Sequence, residues 1–323
     1  MLLPPKSDLT ICFAHAAYRL AEEFRSRGET ANHFTVRSVD ELRDRVAEAD
    51  VVVVSMFWRN AFLEHAPRLR FIQSVSAGTD QYDKALLREK GVRLASAQGV
   101  NERAVAEHAM ALILALTRQL HLARDNQRKG AWRGMIGDPN AREKELGGST
   151  LVVYGLGRIG SRLANLAKAF GMRVIGVKRS PRGPSDPVDE AVTPDRFLEV
   201  LAQADFVALT CPLTPETEGL IGEAQLAAMK PSAYLVNVAR GRVVQEEPLL
   251  EALREGRIAG AGLDTFHEEP LPPASPFWGF DNVVITPHTA GETQRYEANV
   301  IDLLVENLAR LYRGETALKN QIV

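Results

Sequence analysis

Three residues in the last third of the sequence are of types that handle carboxylates and protons. Arg240 stands in the segment NVARG, Glu269 in EEP and His288 in PHTAG. A guanidinium can hold a carboxylate through paired hydrogen bonds, and a histidine can exchange a proton near neutral pH. A carboxylate next to a histidine favours the imidazolium and orients the ring. Each residue also has a non-catalytic interpretation. Arg240 is then a surface arginine, Glu269 an acid in a loop, and His288 a core histidine whose hydrogen bonds are satisfied.

A glycine-rich segment in the middle of the chain could hold a phosphate. The sequence GLGRIG follows an apolar run and contains Gly155, Gly157 and Gly160. In such a motif the first glycine allows a tight turn, the second lets the backbone approach a pyrophosphate, and the third lets helix pack on strand. N–H groups at the start of the following helix then face the anion. The segment predicts a dinucleotide site, with a structural turn that binds nothing as the alternative.

The position that reads the cofactor ribose lies about 20 residues beyond the glycines and is acidic in sites for NAD. Here the sequence is Val177, Lys178, Arg179 and Ser180, with no carboxylate at this strand end. Opposite unit charges 4 Å apart interact by about 4 kcal/mol at an effective dielectric of about 20. Even a heavily screened pair can therefore change cofactor preference tenfold. We predict NADP(H) rather than NAD(H), while use of NAD and a merely solvated basic strand end stay open.

Short apolar runs alternate with charged stretches of helical period along most of the chain. This alternation is typical of βα units and predicts parallel sheets. The predicted strands are residues 9–13, 51–54, 71–75, 92–95, 150–154, 173–177, 206–210, 233–237, 260–264 and 283–286. Arg240, Glu269 and His288 all follow the later strands, at the sheet edge where open α/β sheets bind ligands.

Residues 101–128 predict one long helix with apolar side chains around much of its circumference. Its main stripe consists of Val105, Ala109, Leu112, Leu116 and Leu120. Such a helix must be buried between domains or subunits. Its most apolar part, 109–116, is far shorter than the roughly 20 residues that span a bilayer, so we expect no membrane segment. Residues 293–312 predict a final helix, and prolines mark loops at 181–187 and 268–276.

Length and composition restrict the class of protein. At about 150 residues per domain, 323 residues make roughly two domains. The 39 basic and 41 acidic side chains leave a formal net charge of −2, which predicts no nucleic-acid or membrane-surface partner. Cys12 and Cys211 are the two cysteines and stand far apart, so we expect no disulfide framework, no metal site and a reducing, cytoplasmic setting.

The motifs occur in an order that points to one family. After GLGRIG come CPLTPET at 211–217, NVARG, GLDTF leading into EEP, and PHTAG. In these segments and over essentially its whole length, the chain resembles the D-isomer-specific 2-hydroxyacid dehydrogenases. The resemblance implies that Arg240 holds the substrate carboxylate, that His288 exchanges a proton at the substrate oxygen, and that Glu269 orients His288 and favours its charged form.

The resemblance also implies the contacts of cofactor and substrate. Pyrophosphate contacts are expected from Arg158 and Ile159, and 2′-phosphate contacts from Lys178, Arg179 and Ser180. The remaining predicted cofactor residues are Cys211 and Pro212 beneath the adenosine, Asp264 at the nicotinamide amide, and Val238, Ala290 and Gly291. The turn Ser76, Ala77 and Gly78 is expected to aim N–H groups at the substrate carboxylate, together with Arg240. Trp58 is a candidate lining residue of the substrate pocket, with a place in the core as the alternative.

The architecture that the resemblance implies is α/β, with two Rossmann-like domains. Residues 1–100 plus 293–323 form a discontinuous, flavodoxin-like substrate domain, and residues 101–292 form the dinucleotide-binding Rossmann domain. Family members close the cleft between the domains by a hinge. They commonly dimerise through the region of the long apolar helix, so we expect a homodimer.

The predicted function is reduction of a small 2-oxo acid to the D-2-hydroxy acid by hydride transfer from NADPH. Among family members the chain looks most similar to the glyoxylate/hydroxypyruvate reductases, and the missing ribose carboxylate argues against the phosphoglycerate and D-lactate branches. An NAD-linked dehydrogenase of another 2-hydroxy acid and a non-enzymatic dinucleotide-sensing protein are the alternatives. Formate dehydrogenase is disfavoured, because formate oxidation releases no hydroxyl proton and needs no partner such as Glu269.

Overall fold

A computed structural model describes residues 3–180, 183 and 185–323 of the chain. The chain divides into two compact units, Met1–Asn101 with Thr293–Val323, and Glu102–Glu292. Each unit has one parallel sheet with helices, so the α/β fold predicted from the sequence is confirmed. Within the described part of the chain, no helix combines the length and apolar composition that a membrane crossing requires.

The first unit contains a five-stranded sheet in the order β2-β1-β3-β4-β5. Its strands are β1 (Thr10–Ala14), β2 (Asn32–Val36), β3 (Val51–Val54), β4 (Phe71–Ser74) and β5 (Arg93–Ala95). All neighbours are parallel, and this strand order is the flavodoxin-like one. Because both faces of the central strands are covered, β3 is an unbroken run of four buried valines. The helices between the strands are α1 (Leu20–Ser26), α2 (Val39–Arg45) and α3 (Lys84–Glu89).

The second unit contains a seven-stranded parallel sheet in the order β12-β11-β10-β9-β6-β7-β8. Its strands are β6 (Thr150–Tyr154), β7 (Arg173–Val177), β8 (Glu190–Val192), β9 (Phe206–Leu209), β10 (Tyr234–Asn237), β11 (Gly260–Leu263) and β12 (Val283–Ile285). The chain proceeds from β6 to β7 on one side and returns at β9 on the other. This reversal creates the switch point at which doubly wound sheets bind dinucleotides, outside the carboxyl ends of the strands.

Helices cover both faces of the second sheet. They are α4 (Glu102–Thr117), α5 (Leu120–Lys129), α6 (Arg158–Ala169), α7 (Phe197–Leu201), α8 (Glu223–Ala228) and α9 (Glu246–Arg254). The final helix, α10 (Tyr296–Tyr312), belongs to the first unit. Its side chains Val300, Ile301, Leu304 and Leu308 are buried in the core of that unit, which explains why the last segment rejoins the first hundred residues.

The prediction of one helix over 101–128 is wrong. The helix ends at Thr117, and Gln119 adopts a left-handed backbone conformation with φ of 49° before α5 begins at Leu120. The side chains at 105, 109, 112 and 116 are buried as predicted, but Leu120 is 55% exposed. An apolar period can continue across a single left-handed residue, so the pattern did not reveal the break.

Two strands were missed and one predicted loop falls partly outside the described residues. Both β2 and β8 lie at sheet edges and are only partly buried, so neither has the apolar pattern of a central strand. The predicted loop 181–187 includes residues 181, 182 and 184, which lie outside the part of the chain that the structure describes.

Candidate active site

The glycine-rich turn joins β6 to α6 at the switch point of the second sheet. Gly155 has φ of +100°, and a Cβ atom there would lie 2.7 Å from the main-chain N of Cys211, which follows β9. A Cβ on Gly160 would lie 2.7 Å from Thr210 Oγ1. Side chains at these two positions would therefore collide with the neighbouring strand end.

Gly157 differs from these two glycines because the space beside it is open. It caps α6, and a Cβ built there meets nothing within 4 Å. The first N–H groups of a helix have no partners inside the helix and attract anions. The open space in front of them fits the pyrophosphate of a dinucleotide, with Arg158 exposed and Ile159 half-buried beside it.

A carboxylate does stand near the predicted ribose-reading residues, contrary to the sequence prediction. Asp186 Oδ2 lies 2.8 Å from Lys178 Nζ, and both side chains are mostly buried. The same oxygen accepts a hydrogen bond of 2.6 Å from the backbone N–H of Gly183. The local pattern missed this residue because it returns to the strand end from a loop eight positions later.

Arg179 and Ser180 are exposed, just past the end of β7. The pKa of Glu216 is held below its ordinary value, chiefly by a hydrogen bond from the Thr214 side chain and in smaller part by the charge of Arg179. Arg179 therefore lies near the loop that follows β9, on the same side of the switch point as the glycine turn.

Arg240 follows β10 and is held by an asparagine that the sequence analysis did not identify. The Asn237 side chain accepts a hydrogen bond of 3.0 Å from the Ala239 N–H and donates one of 3.0 Å to the Arg240 carbonyl. The guanidinium is half-buried and donates to the Ala239 carbonyl at 2.8 Å. Asn237, the first residue of the NVARG segment, is almost fully buried. Its side-chain hydrogen bonds hold the turn that carries Arg240.

Glu269 and His288 form a direct pair. His288 Nδ1 lies 2.7 Å from Glu269 Oε2, and Glu269 Oε1 accepts a 2.9 Å hydrogen bond from the Phe266 N–H. Burial alone would raise the pKa of Glu269, but the hydrogen bonds from His288 and Phe266 and the charges of His288 and Arg240 hold it below its ordinary value. The second unit therefore brings together the three residues predicted from the sequence.

The loop that carries His288 is anchored to Asp264. His288 has φ of 55°, an uncommon conformation for a residue with a side chain, and its N–H donates to the Asp264 carbonyl at 2.8 Å. The Asp264 carboxylate is 1% exposed and accepts hydrogen bonds from the Thr286 hydroxyl at 2.6 Å and from the N–H groups of Thr289 and Ala290 at 3.0 and 3.1 Å. The nicotinamide contact predicted for Asp264 stays a prediction.

The other predicted cofactor residues lie at the same carboxyl edge of the sheet. Cys211 is buried, which raises the pKa of its thiol to about 11, so it is not poised as a nucleophile. Pro212 is exposed, Val238 and Ala290 are buried, and Gly291 is half-buried. Among the described residues, no group of three or more histidine, cysteine or acidic side chains is arranged to hold a metal ion.

In the first unit, Ser76, Ala77 and Gly78 form a half-buried turn shortly after β4. The Ser74 hydroxyl donates to the Ser76 carbonyl at 2.9 Å and accepts from the Ser76 N–H at 3.2 Å, while the Ser76 hydroxyl is hydrogen-bonded to Ser55. These bonds hold the turn at the carboxyl edge of its sheet.

The proposed pocket role of Trp58 is corrected by its burial. The indole is 1% exposed, packs against Phe62 and Tyr82, and donates a 3.0 Å hydrogen bond to the Asn60 side chain. Trp58 is a core residue of the first unit, which was the alternative reading of an aromatic residue just after a buried strand.

Comparison with known proteins identifies the family. A family model described as D-isomer specific 2-hydroxyacid dehydrogenase, NAD binding domain, matches residues 110–290, which is more than half of the chain. The chain belongs to the D-isomer specific 2-hydroxyacid dehydrogenase family. This dehydrogenase is an oxidoreductase that acts on the CH–OH group of a small hydroxy acid, or on the corresponding oxo acid, with a nicotinamide dinucleotide.

Curated relatives cover most of the dehydrogenase. It is 38% identical to the glyoxylate reductase of Pyrococcus furiosus over 282 residues, 85% of this chain and 83% of the relative. It is 37% identical to glyoxylate/hydroxypyruvate reductase B of Pectobacterium carotovorum subsp. carotovorum over 303 residues, 92% and 93% of the two chains. It is also 37% identical to the D-3-phosphoglycerate dehydrogenase of Methanocaldococcus jannaschii, but spans only 52% of the length of that protein, against 86% of its own.

A solved structure agrees over nearly the full chain. The acyclic imino acid reductase Bsp5, in complex with NADPH and D-Arg, superimposes with a TM-score of 0.85 at 26% identity, covering 98% of the dehydrogenase and 100% of the other chain.

Proposed function

We propose that this dehydrogenase is an NADP(H)-preferring reductase that converts a small 2-oxo acid, of the glyoxylate or hydroxypyruvate type, to the D-2-hydroxy acid. The observation that carries the chemistry is the 2.7 Å pair of His288 with Glu269, next to the positive charge of Arg240. The relatives named glyoxylate reductase and glyoxylate/hydroxypyruvate reductase B support the substrate class.

The pairing with Glu269 is the basis for assigning His288 as the proton donor. Because Glu269 engages Nδ1 of His288, the ring exchanges a proton with the substrate through Nε2. The carboxylate remains charged at neutral pH, since its pKa lies below the ordinary value, and it stabilises the imidazolium that protonates the substrate oxygen. Bound NADPH supplies the hydride to the 2-carbon. In the reverse direction His288 accepts the proton from the hydroxyl group.

Arg240 is assigned to the substrate carboxylate. Its turn is held by the buried Asn237, and its charge lies close enough to Glu269 to lower the pKa of that carboxyl. A planar guanidinium can hold a carboxylate by two parallel hydrogen bonds and polarise the neighbouring carbonyl group. In the first unit, the turn of Ser76, Ala77 and Gly78 is proposed to offer N–H groups to a substrate carboxylate.

The cofactor site is assigned to the carboxyl edge of the second sheet. Gly155, Gly157 and Gly160 shape the turn, and the start of α6 with Arg158 and Ile159 faces the pyrophosphate. The walls of the site are assigned to Cys211, Pro212, Val238, Ala290 and Gly291, which lie near the carboxyl ends of the strands. Asp264 is proposed to accept a hydrogen bond from the nicotinamide amide in addition to those from its own loop.

The preference for NADP(H) depends on the balance of charge at the end of β7. Arg179 and Ser180 are exposed there and can bind a 2′-phosphate. Lys178 can bind the same phosphate when it gives up its ion pair with Asp186. The NADPH bound to the similar imino acid reductase supports this preference. Asp186 itself favours the second candidate, an NAD-linked dehydrogenase, because a carboxylate at this edge can accept the ribose hydroxyls.

The domain assignment and the oligomeric state are proposed from the family resemblance. We assign the substrate domain to residues 1–100 with 293–323, the Rossmann domain to 101–292, and the active form to a homodimer. Exposed apolar side chains support contact with a second subunit: Leu120, Trp132 and Met135 all lie at the surface. A concentration of large apolar groups on one exposed segment is typical of an interface.

Initial rates test the proposal. Glyoxylate and hydroxypyruvate are each supplied with NADPH and with NADH, and the nicotinamide absorbance is followed. We expect the fastest oxidation with NADPH. Activity with NADH alone would retain the enzyme class and favour the NAD-linked candidate. Silence in all four assays, with NADPH shown to bind, would point to another 2-oxo acid or to a dinucleotide-sensing protein.

A further inference from the structure

Three side chains from separate elements of the second unit form a hydrogen-bonded row. His108 of α4 contacts Thr286, which follows β12, with 2.9 Å between Nε2 and Oγ1. Thr286 Oγ1 in turn lies 2.6 Å from Oδ1 of Asp264, which follows β11. His108 Nε2 is 3.7 Å from the same carboxylate oxygen. Neither His108 nor Thr286 has a role in the proposed proton transfer or in binding of the substrate carboxylate.

The direction of the hydrogen bonds in this row is determined by its buried end. Both oxygens of Asp264 accept backbone N–H groups, from Thr289 and from Ala290, so the carboxylate also acts as the acceptor for the Thr286 hydroxyl. The Thr286 hydroxyl therefore donates its proton to Asp264. Toward His108, Thr286 Oγ1 can only accept a hydrogen bond. Nε2 of His108 must carry a proton, which is true of the Nε2–H tautomer and of the imidazolium alike.

The row ends on the loop that carries His288. The Asp264 carboxylate binds the two N–H groups immediately after His288, and the Asp264 carbonyl accepts from the N–H of His288 itself. The uncommon backbone of His288, with φ of 55°, is maintained by these contacts. Among the described residues, the Asp264 carboxylate takes one of its three hydrogen bonds from Thr286, and Thr286 Oγ1 takes one from His108.

We infer that His108 is a positioning residue of the reaction, which acts through Thr286 and Asp264 to hold His288 in place. This inference rests on the proposed role of His288 as the acid–base group. Arg240 is not part of the row, so loss of the His108 donor should affect proton transfer more than binding of the substrate carboxylate. Small displacements of a catalytic group reduce turnover strongly, by up to about a hundredfold per ångström.

The test compares variants with and without a donor at each position of the row. His108→Leu removes the donor, and His108→Gln retains an N–H at similar reach. Thr286→Val removes the hydroxyl, and Thr286→Ser retains it. His33→Leu, at a half-buried histidine of the first unit, is the matched control. We measure kcat and KM for the 2-oxo acid, the thermal midpoint, and amide hydrogen exchange of the peptide covering 286–291.

We expect His108→Leu and Thr286→Val to lower kcat about tenfold or more, with KM changed by less than about twofold. Glutamine and serine should restore most of the rate, and the double variant His108→Leu/Thr286→Val should be no slower than Thr286→Val alone. Exchange of the Thr289 and Ala290 amides should rise in both donor-free variants and not in His33→Leu.

Other results would overturn the inference. Unchanged exchange of the 286–291 peptide in His108→Leu would show that the loop does not depend on His108, whatever the activity. A fall in kcat that glutamine does not rescue, in step with a fall in the thermal midpoint, would assign His108 to stability alone. If the unchanged enzyme reduces no 2-oxo acid, the proposed function fails, whereas the exchange data still decide whether the row holds the loop.

Discussion

His288 Nδ1 lies 2.7 Å from Oε2 of Glu269, although the two residues are 19 positions apart. Glu269 follows β11 and His288 follows β12, and these strands are parallel neighbours, so their carboxyl ends meet at one edge of the sheet. The other carboxylate oxygen is tied to the Phe266 N–H. The histidine therefore meets a carboxylate that is itself anchored, an arrangement suited to fixing the direction of proton transfer.

Replacement of His288 should separate proton transfer from cofactor binding. A positioned acid–base group contributes about 10²- to 10⁴-fold. We therefore expect His288→Ala to lower kcat for the 2-oxo acid by at least about a hundredfold, while the Kd for NADPH, from fluorescence titration, changes by less than about twofold. Turnover close to that of the unchanged enzyme would assign His288 a structural role.

Replacement of Arg240 should act mainly on KM. Loss of a bidentate guanidinium–carboxylate pair in Arg240→Gln should raise KM for the 2-oxo acid about a hundredfold or more, since charge-assisted pairs are the strongest hydrogen bonds available here. Arg240→Lys should recover little, because an ammonium cannot reproduce the planar fork. The Kd for NADPH serves as the control. Equal KM values for the arginine and glutamine forms would contradict the assignment.

The lowered pKa of Glu269 predicts how its contribution to stability depends on pH. An unfolded glutamate titrates near pH 4.3, and the folded carboxyl titrates lower. The charged form is thus favoured by folding: its contribution is complete above about pH 4.3 and is lost as the pH falls through the lowered value. Side-chain exposures of 36% for Glu269 and 46% for His288 imply a small effect, because solvent screens the pair.

Urea unfolding of the unchanged enzyme and Glu269→Gln at pH 7, 5 and 4 measures this effect. The stability advantage of the unchanged enzyme should be similar at pH 7 and 5 and should shrink at pH 4 and below. An advantage that grows on acidification would have the wrong sign for a carboxyl with a lowered pKa.

Charge at the end of β7 should control the choice between NADPH and NADH. Arg179→Gln should reduce the ratio of kcat/KM for NADPH to that for NADH about tenfold, and Asp186→Asn should increase it by releasing Lys178. Lys168→Gln, at another lysine paired with an aspartate, is the control. If Asp186→Asn instead reduces the use of NADH alone, Asp186 binds the ribose hydroxyls and the NAD-linked candidate gains support.

The exposed apolar residues after α4 should lie in a homodimer interface. Sedimentation equilibrium should give twice the 35.5 kDa chain mass, and Trp132→Asp with Met135→Asp should shift the enzyme toward monomer by placing charges in a desolvated contact. Leu198→Asp, at an exposed leucine of α7, is the control. An unchanged monomer–dimer equilibrium in the double variant would show that the interface lies elsewhere.

Local pattern predicted the central strands and two of the four edge strands. The strands at 51–54, 150–154 and 173–177 were predicted with the bounds they have, because two-sided burial requires continuous apolar runs. The edge strands β2 and β8 were missed, because a partly exposed strand tolerates polar side chains. Trp58 shows the same limit: its type does not distinguish a core position from a pocket wall, and only its 1% exposure decides.

By itself the sequence determined the α/β class and the glycine turn, and it predicted that Arg240, Glu269 and His288 lie together. These features depend on local requirements. The fold class depends on the period of burial, the glycine turn on the absence of a side chain at Gly155, and the chemistry on side chains that carry a charge or a proton. Only the tertiary structure decided that Gln119 breaks the long helix, that Asp186 pairs with Lys178, and that His108 contacts Thr286 across 178 positions. Such contacts depend on strand order and on the path of loops, which bring distant residues together and which no local pattern encodes.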